Sequence, residues 1–416
     1  MRTHKIFPLL LLSGLLLPLT GCGDGKNADG KIEIKFINGF TGGDGQYMTK
    51  IVKGFNASQK KYKLVQSQEK DHYTKFKSGK YDLVVIHEAS LRTYQSDQMI
   101  QPVTDYMKQA NIKENDFLTS GVDSAKVGNK MYALPLDIHP LTMFYNKNLV
   151  KSMPKTYADL EQLNEQLQKK DDHLYAFGLP SSGLTPFYLT VAAAQNDIQL
   201  ERDGYLDFAQ PAYADALMKY HDMIFVDQIS PKKLGLDGEF QSFMKTASNN
   251  ANQTAVSFTG PWYYSAVKDK YKNQLGIGPM PLLFKSKATT GNAHTIAVSS
   301  SVQDQDVKKG ISSFFKYLYT PKHLANWAES GQTPSHKETL KLITDDPSRY
   351  ALAAENQKQL KDYVRAPRVY QFDEQMRYMN EVVFAKLTSD RNLTKDALMT
   401  ELKKATKQAQ EIAKSK

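Results

Sequence analysis

Four short clusters in this chain combine carboxylates, imidazoles, glycines and aromatic rings. They are Gly42-Gly43-Asp44-Gly45, His87-Glu88, Asp137-Ile138-His139 and Trp262-Tyr263-Tyr264. Carboxylates and amides form paired hydrogen bonds with vicinal hydroxyls, an aromatic face covers the apolar C–H face of a pyranose, and glycines let backbone N–H groups approach closely. The mixture suits a polyhydroxylated solute such as a sugar. Each cluster also has an ordinary structural alternative. The glycine loop reads equally as a solvent loop, Trp262 as a core residue, and His139 and His294 as satisfied structural histidines. A tryptophan directly after Gly260-Pro261 at a strand end is harder to explain by packing alone.

Enzyme motifs fail on inspection. The glycine loop lacks the Lys-Ser/Thr ending of a phosphate-binding Walker loop. His87-Glu88-Ala89-Ser90-Leu91 opens like a zincin motif but has Leu where the second His belongs. Ser242-Phe243-Met244-Lys245 matches S-x-x-K, but the companion K-T-G fails at Ala247. A glycosidase carboxylate pair is decided by separation in space and is left open by sequence. The histidines lie far apart along the chain without metal-ligand spacing. The expectation is a binding protein with no catalytic residues, no metal and no cofactor.

These clusters sit where predicted strands end. Ile32 to Ile37 alternates apolar and polar before turning apolar, as a strand entering a sheet does, and Met48, Ile51, Val52 and Phe55 recur at helical spacing. Tyr62 to Gln66 and Asp82 to Ile86 read as strands, the second stopping at His87. Tyr132 to Pro135 and Leu141 to Tyr145 flank a proline-bounded crossing. Residues 154–168 form an amphipathic helix with Leu160, Leu163 and Leu167 on one face. Thr185 to Asn196 is helical, Thr254 to Phe258 a strand, and Gly291 to Ser299 a second crossing with its strand. Strands alternating with helices predict a largely parallel sheet covered on both faces. In such sheets ligands lie at the carboxyl ends of strands.

The first residues read as a secretory leader: Arg2 and Lys5, an apolar run from Ile6 to Leu19, then Leu19-Thr20-Gly21-Cys22. The run is too short, and too broken by Pro8 and Pro18, for a good spanning helix. Cys22 is the single cysteine, so no disulfide forms within a monomer. The polar stretch that follows, to Lys31, reads as a tether. Formal net charge is +10, of which the leader supplies two positives. The remaining basic residues are spread along the chain, apart from the tail around Lys403, Lys404, Lys407 and Lys414. No basic stripe or recognisable module points to nucleic acid. A chain of 416 residues exceeds one ordinary core, so two domains are expected.

In order, Ile37-Asn38-Gly39, Tyr81-Asp82-Leu83-Val84-Val85, Tyr132-Ala133-Leu134-Pro135, Phe144-Tyr145-Asn146-Lys147, Thr259-Gly260-Pro261-Trp262 and Gly331-Gln332-Thr333-Pro334 span nearly the whole chain. This ordered set resembles the extracellular sugar-binding proteins of ABC importers, the family that includes maltose-binding proteins. Leu19 to Cys22 resembles the lipobox of bacterial lipoproteins, which implies that residues 1–21 are removed and Cys22 is acylated as a membrane anchor for the tether 22–31. The resemblance implies a two-domain α/β fold of the periplasmic-binding-protein type (type II) with hinge-connected lobes. One lobe would comprise 32–137 and 295–345, the other 138–294 and 346–416. It implies Trp262 as a stacking platform, with Gly43 and Asp44, Asp137 and His139 bonding sugar hydroxyls. His87, Glu88 and His294 are further implied contacts, and Phe187 and Tyr188 match an aromatic position loosely. Tyr81-Asp82 departs from the usual Pro-Asp, and Asp-Ile-His-Pro occurs in only some members. The implied partners are a carbohydrate and a membrane permease, with the binder a lipid-anchored, extracytoplasmic monomer. Alternatives from the residues alone are a peptide, polyamine or phosphorylated sugar as ligand, or a lipid-anchored hydrolase.

Overall fold

The computed structural model describes residues 29–246 and 252–415. The leader, Cys22 and residues 22–28 of the tether lie outside them. Strand β1 (Ile32–Asn38) buries Ile32, Ile34, Phe36 and Ile37, and leads through the glycine loop into helix α1 (Gly45–Ser58). Met48, Ile51, Val52 and Phe55 form the buried stripe of α1, the four positions whose spacing predicts it. Strands β2 (Tyr62–Gln68) and β3 (Leu83–His87) flank β1 in parallel. Every residue of β4 (Ala133–Pro140) is buried, and after Leu141 the chain enters β5 (Thr142–Asn146).

Helix α2 (Tyr157–Gln168) starts three residues later than its sequence pattern, because a capping box closes its N-terminus. Asp159 N–H donates to Thr156 Oγ1 at 3.2 Å, and Thr156 N–H donates back to Asp159 Oδ2 at 2.9 Å. Helix α3 (Thr185–Ala194) carries Pro186 in its first turn, where the missing N–H costs nothing. Strands β6 (Val256–Thr259) and β7 (Leu275–Pro279) both pair antiparallel with β5 in a three-stranded sheet. The chain then returns through β8 (Gly291–Ser299), helices α4 (Gln305–Leu318) and α5 (Pro321–Ala328), and the short β9 (Thr333–Pro334). The last long helix is α6 (Lys395–Lys414). No helix among the described residues is long and apolar enough to cross a membrane.

The first sheet runs β9-β4-β8-β3-β1-β2, with Ile100–Gln101 also pairing with β8. It is mixed, not largely parallel: β8 is antiparallel to both β3 and β4, and β9 to β4. The reason is connectivity. β8 arrives from the second lobe and not over a crossover helix, so nothing obliges it to run with its neighbours. Two large cores result. Phe36, Val84, Leu134, Ile296, Phe314 and Trp327 belong to one, and Met143, Phe177, Tyr188, Leu217, Phe258 and Phe384 to the other. Each fully buried side chain of this size contributes about 1.5–3 kcal/mol.

Candidate ligand-binding site

The register of three strands builds the floor of the site. His294 on β8 stands opposite His87 on β3 and opposite Asp137 on β4. The β4–β8 register shifts between His294 and Thr295, so Leu136 is left without a partner and the strand is re-aimed there. His139, two residues beyond Asp137, shares its face by the period of a strand. The rings of His139 and His294 lie 4.2 Å apart, and those of His87 and His294 4.7 Å.

Asp137 is fully buried and organises these rings from behind. It accepts from His139 Nδ1 at 2.8 Å, from His294 Nδ1 at 3.0 Å and from Trp327 Nε1 at 2.6 Å. Burial alone would raise its carboxyl. The adjacent His294 and the hydrogen bonds from both imidazoles outweigh that and hold it well below the usual carboxylate range. Burial and the neighbouring ring push His139 down to about 4, so it is neutral at pH 7. His87 is driven down in the same direction, first by burial and then by the other histidines, and its Nδ1 lies 2.8 Å from the Tyr73 hydroxyl.

Asp44 precedes α1 yet gives it no side-chain cap. Its carboxylate instead accepts from Gln332 Nε2 at 3.1 Å. Burial raises its pKa, with His294 opposing. The loop can fold this tightly because Gly45 has no side chain: a Cβ there would lie 2.2 Å from the Phe40 carbonyl oxygen.

The opposite wall is aromatic. Trp262 follows β6 and is half-buried, with Phe187 at 5.8 Å between ring centroids and His139 at 6.1 Å. A Cβ at Gly260 would sit 2.1 Å from the indole ring, so the Gly-Pro-Trp sequence is what lets this ring fold back over its own backbone. Tyr263 stacks on Phe240 at 3.8 Å. Floor and wall enclose a cleft of about 950 Å³ between the lobes, near the upper end of the roughly 300–1,000 Å³ of small-molecule sites.

Gly43, Asp44, His87, His139, Phe187, Trp262 and His294 all line this cleft. Three other expected contacts stand behind its surface. Asp137 is the buried orienter just described. Tyr188 is fully buried, its hydroxyl donating to the Phe258 carbonyl at 3.0 Å. Glu88 is fully buried and accepts from Tyr363 Oη at 2.5 Å. The S-x-x-K match dissolves as well: Ser242 Oγ donates to Gly238 O at 2.6 Å within its helix, while Lys245 is exposed beyond the helix end. The separation of the histidines along the chain argued against a metal cluster, and the fold removes that ground by bringing three of them together.

Sequence reasoning overlooked Phe40, Tyr73, Gln332 as a contact, Phe240 and Trp327. Gln332 carried a signal, since it lies in Gly331-Gln332-Thr333-Pro334. Trp327 carried none: with Leu324 and Ala328 it reads only as a buried helix stripe.

The fold and cleft define a two-lobed α/β protein with a solute-sized cavity between its lobes. Residues 25–325 match the model of the bacterial extracellular solute-binding protein family, and the chain belongs to that family. The sn-glycerol-3-phosphate-binding periplasmic protein of Shigella dysenteriae serotype 1 is 24% identical over 350 residues, covering 77% of this chain and 78% of that one. The GacH receptor of Streptomyces glaucescens, solved unliganded and with acarbose, superposes with a TM-score of 0.75 at 17% identity, over 90% of this chain and 98% of the receptor. The sugar-binding protein MalE from Xanthomonas citri gives 0.74 at 20% identity, over 92% and 98%. These structures share the fold.

Proposed function

We propose that this protein captures a carbohydrate, a mono- or oligosaccharide, outside the cell and delivers it to the membrane permease of an ABC importer. The observation that carries the reading is the pairing of an aromatic wall, Trp262 with Phe187, against a polar floor of Asp44 and three imidazoles. A pyranose presents those two faces. The cleft volume leaves room for more than one ring.

An anionic ligand, such as the phosphoester in the relative's name, is less well served by the protein's own side chains. Lys70, exposed at the rim, is the one basic side chain other than histidine among the described residues lining the cleft, against Asp44, Asp269 and Asp373. Sugar relatives of the same fold, one solved with acarbose, add to the carbohydrate reading.

Capture works by closure. A ligand touching Asp44 and His87 from one lobe and Trp262 and Phe187 from the other stabilises the closed form over the open one. The lobes are 32–137 with 295–345, and 138–294 with 346–416, and the chain acts as a monomer. Acylated Cys22 holds it beside its permease. The test is calorimetry of the purified protein against a panel of mono- and oligosaccharides, with sn-glycerol 3-phosphate, peptides and polyamines as comparators. Binding of a comparator and of no sugar sinks the proposal. Loss of palmitate labelling in Cys22→Ala tests the anchor; labelling that persists refutes it.

A further inference from the structure

Three imidazoles from three adjacent strands converge at the cleft floor, and a single buried carboxylate orients two of them. We propose that His87, His139 and His294 bind one divalent transition-metal ion of the zinc class there, leaving one coordination position open to the cleft.

Geometry supports this first. One donor nitrogen from each residue lies within 4.8 Å of the other two. A tetrahedral zinc with bonds of about 2.0–2.1 Å places its nitrogens roughly 3.3 Å apart, so ring rotations of about an ångström close the triad. The ring orientations are also set. Asp137 accepts from Nδ1 of both His139 and His294, which leaves Nε2 of each ring without a protein hydrogen-bond partner among the described residues. The Tyr73 hydroxyl lies 2.8 Å from Nδ1 of His87 and accepts from the His87 backbone N–H at 3.0 Å, so it holds the third ring in place. Metal-bound histidines are held by such an outer partner, most often a carboxylate or carbonyl, that fixes the ring and its tautomer.

The donor set then selects the ion. Imidazoles suit zinc, copper, nickel and iron, whereas magnesium and calcium require oxygen ligands. Asp137 offers none, since both its oxygens are engaged by the two histidines and Trp327. Three protein ligands plus an open position is the arrangement of zinc sites that take an exchangeable fourth ligand. A cleft of about 950 Å³ is far larger than an ion and one water need, a water's share being about 30 Å³. The ion is therefore part of the receptor and not its cargo. If the cleft holds a carbohydrate, one of its hydroxyl oxygens completes the coordination; the metal site itself does not depend on that reading.

The test is titration of the chelator-treated full chain with Co²⁺, followed by visible absorption, then displacement with Zn²⁺. The expected result is one equivalent with the intense bands of four-coordinate cobalt, shifted by azide at the open position and undisturbed by Mg²⁺. His139→Gln and His294→Gln should each weaken binding by about 100-fold or more, and His87→Gln by about tenfold or more. Asp137→Asn should weaken it by about 10–100-fold. His173→Ala, in the exposed Asp171-Asp172-His173 cluster, should change nothing. Absence of the cobalt bands in the unaltered chain overturns the proposal without recourse to any variant. So does binding that survives joint replacement of His139 and His294, or that disappears in His173→Ala. No sugar is present, so this outcome is separate from that of the saccharide panel.

Discussion

Replacing Asp137 by Asn keeps the shape of the side chain and removes one acceptor. In the native protein two carboxylate oxygens meet three donors: His139 Nδ1, His294 Nδ1 and Trp327 Nε1. The amide has one oxygen. If that oxygen keeps the imidazoles, its NH₂ group faces the indole N–H, leaving a buried donor unsatisfied at about 1–3 kcal/mol. The two remaining bonds fall from charge-assisted to neutral, about 1 kcal/mol each. The sum is about 3–5 kcal/mol, a large part of the roughly 5–15 kcal/mol of a typical domain. Urea unfolding at pH 7 reads it directly. Because the native carboxyl titrates below its ordinary 3.8, the gap should be complete above that pH and narrow as pH falls below it. Repeating the change in a Trp327→Phe background removes the indole donor, so Asp137→Asn should then cost about 1–3 kcal/mol less. A loss under about 1 kcal/mol, or equal losses in both backgrounds, would refute the account of Asp137 as the buried orienter.

Trp262→Ala should weaken saccharide binding by about 100-fold, in line with the loss of a central aromatic anchor; calorimetry showing unchanged affinity removes Trp262 from the site. Gly260→Ala should do nearly the same without touching the ring's chemistry, because its Cβ meets the indole at 2.1 Å. The chain has two tryptophans and Trp327 is fully buried, so a fluorescence change on ligand addition should persist in Trp327→Phe and vanish in Trp262→Phe. Burial pushes the Glu239 carboxyl up to about 8, against the backbone N–H groups of Glu239 and Phe240, which pull it down. Its folded pKa lies above the unfolded 4.5, so stability is full below that pH and is lost as pH rises toward 8. Glu239→Gln should therefore raise the melting temperature more at pH 8 than at pH 5, and an equal change at both would contradict this.

Much of the site was legible in the sequence. Polar or aromatic residues stop the apolar runs at His87 and Trp262, and a tryptophan directly after Gly-Pro at a strand end is hard to explain by packing alone. Helical and strand periods depend on neighbours close in sequence, so β1, α1 and the body of α2 follow from side-chain type alone.

What it could not assign was depth. Whether Asp137 touches ligand or supports the residues that do depends on His294, 157 positions away, and on Trp327, 190 positions away. Glu88 and His87 are adjacent, yet one is buried against Tyr363 and the other lines the cleft. The mixed order of the first sheet follows from β8 returning out of the second lobe. That return, with its register shift beside His294, gathers histidines that the chain holds far apart. Sequence set which chemistries were available, because side-chain type is local. Tertiary structure decided which of them meet, because strand register and burial are properties of the whole folded chain.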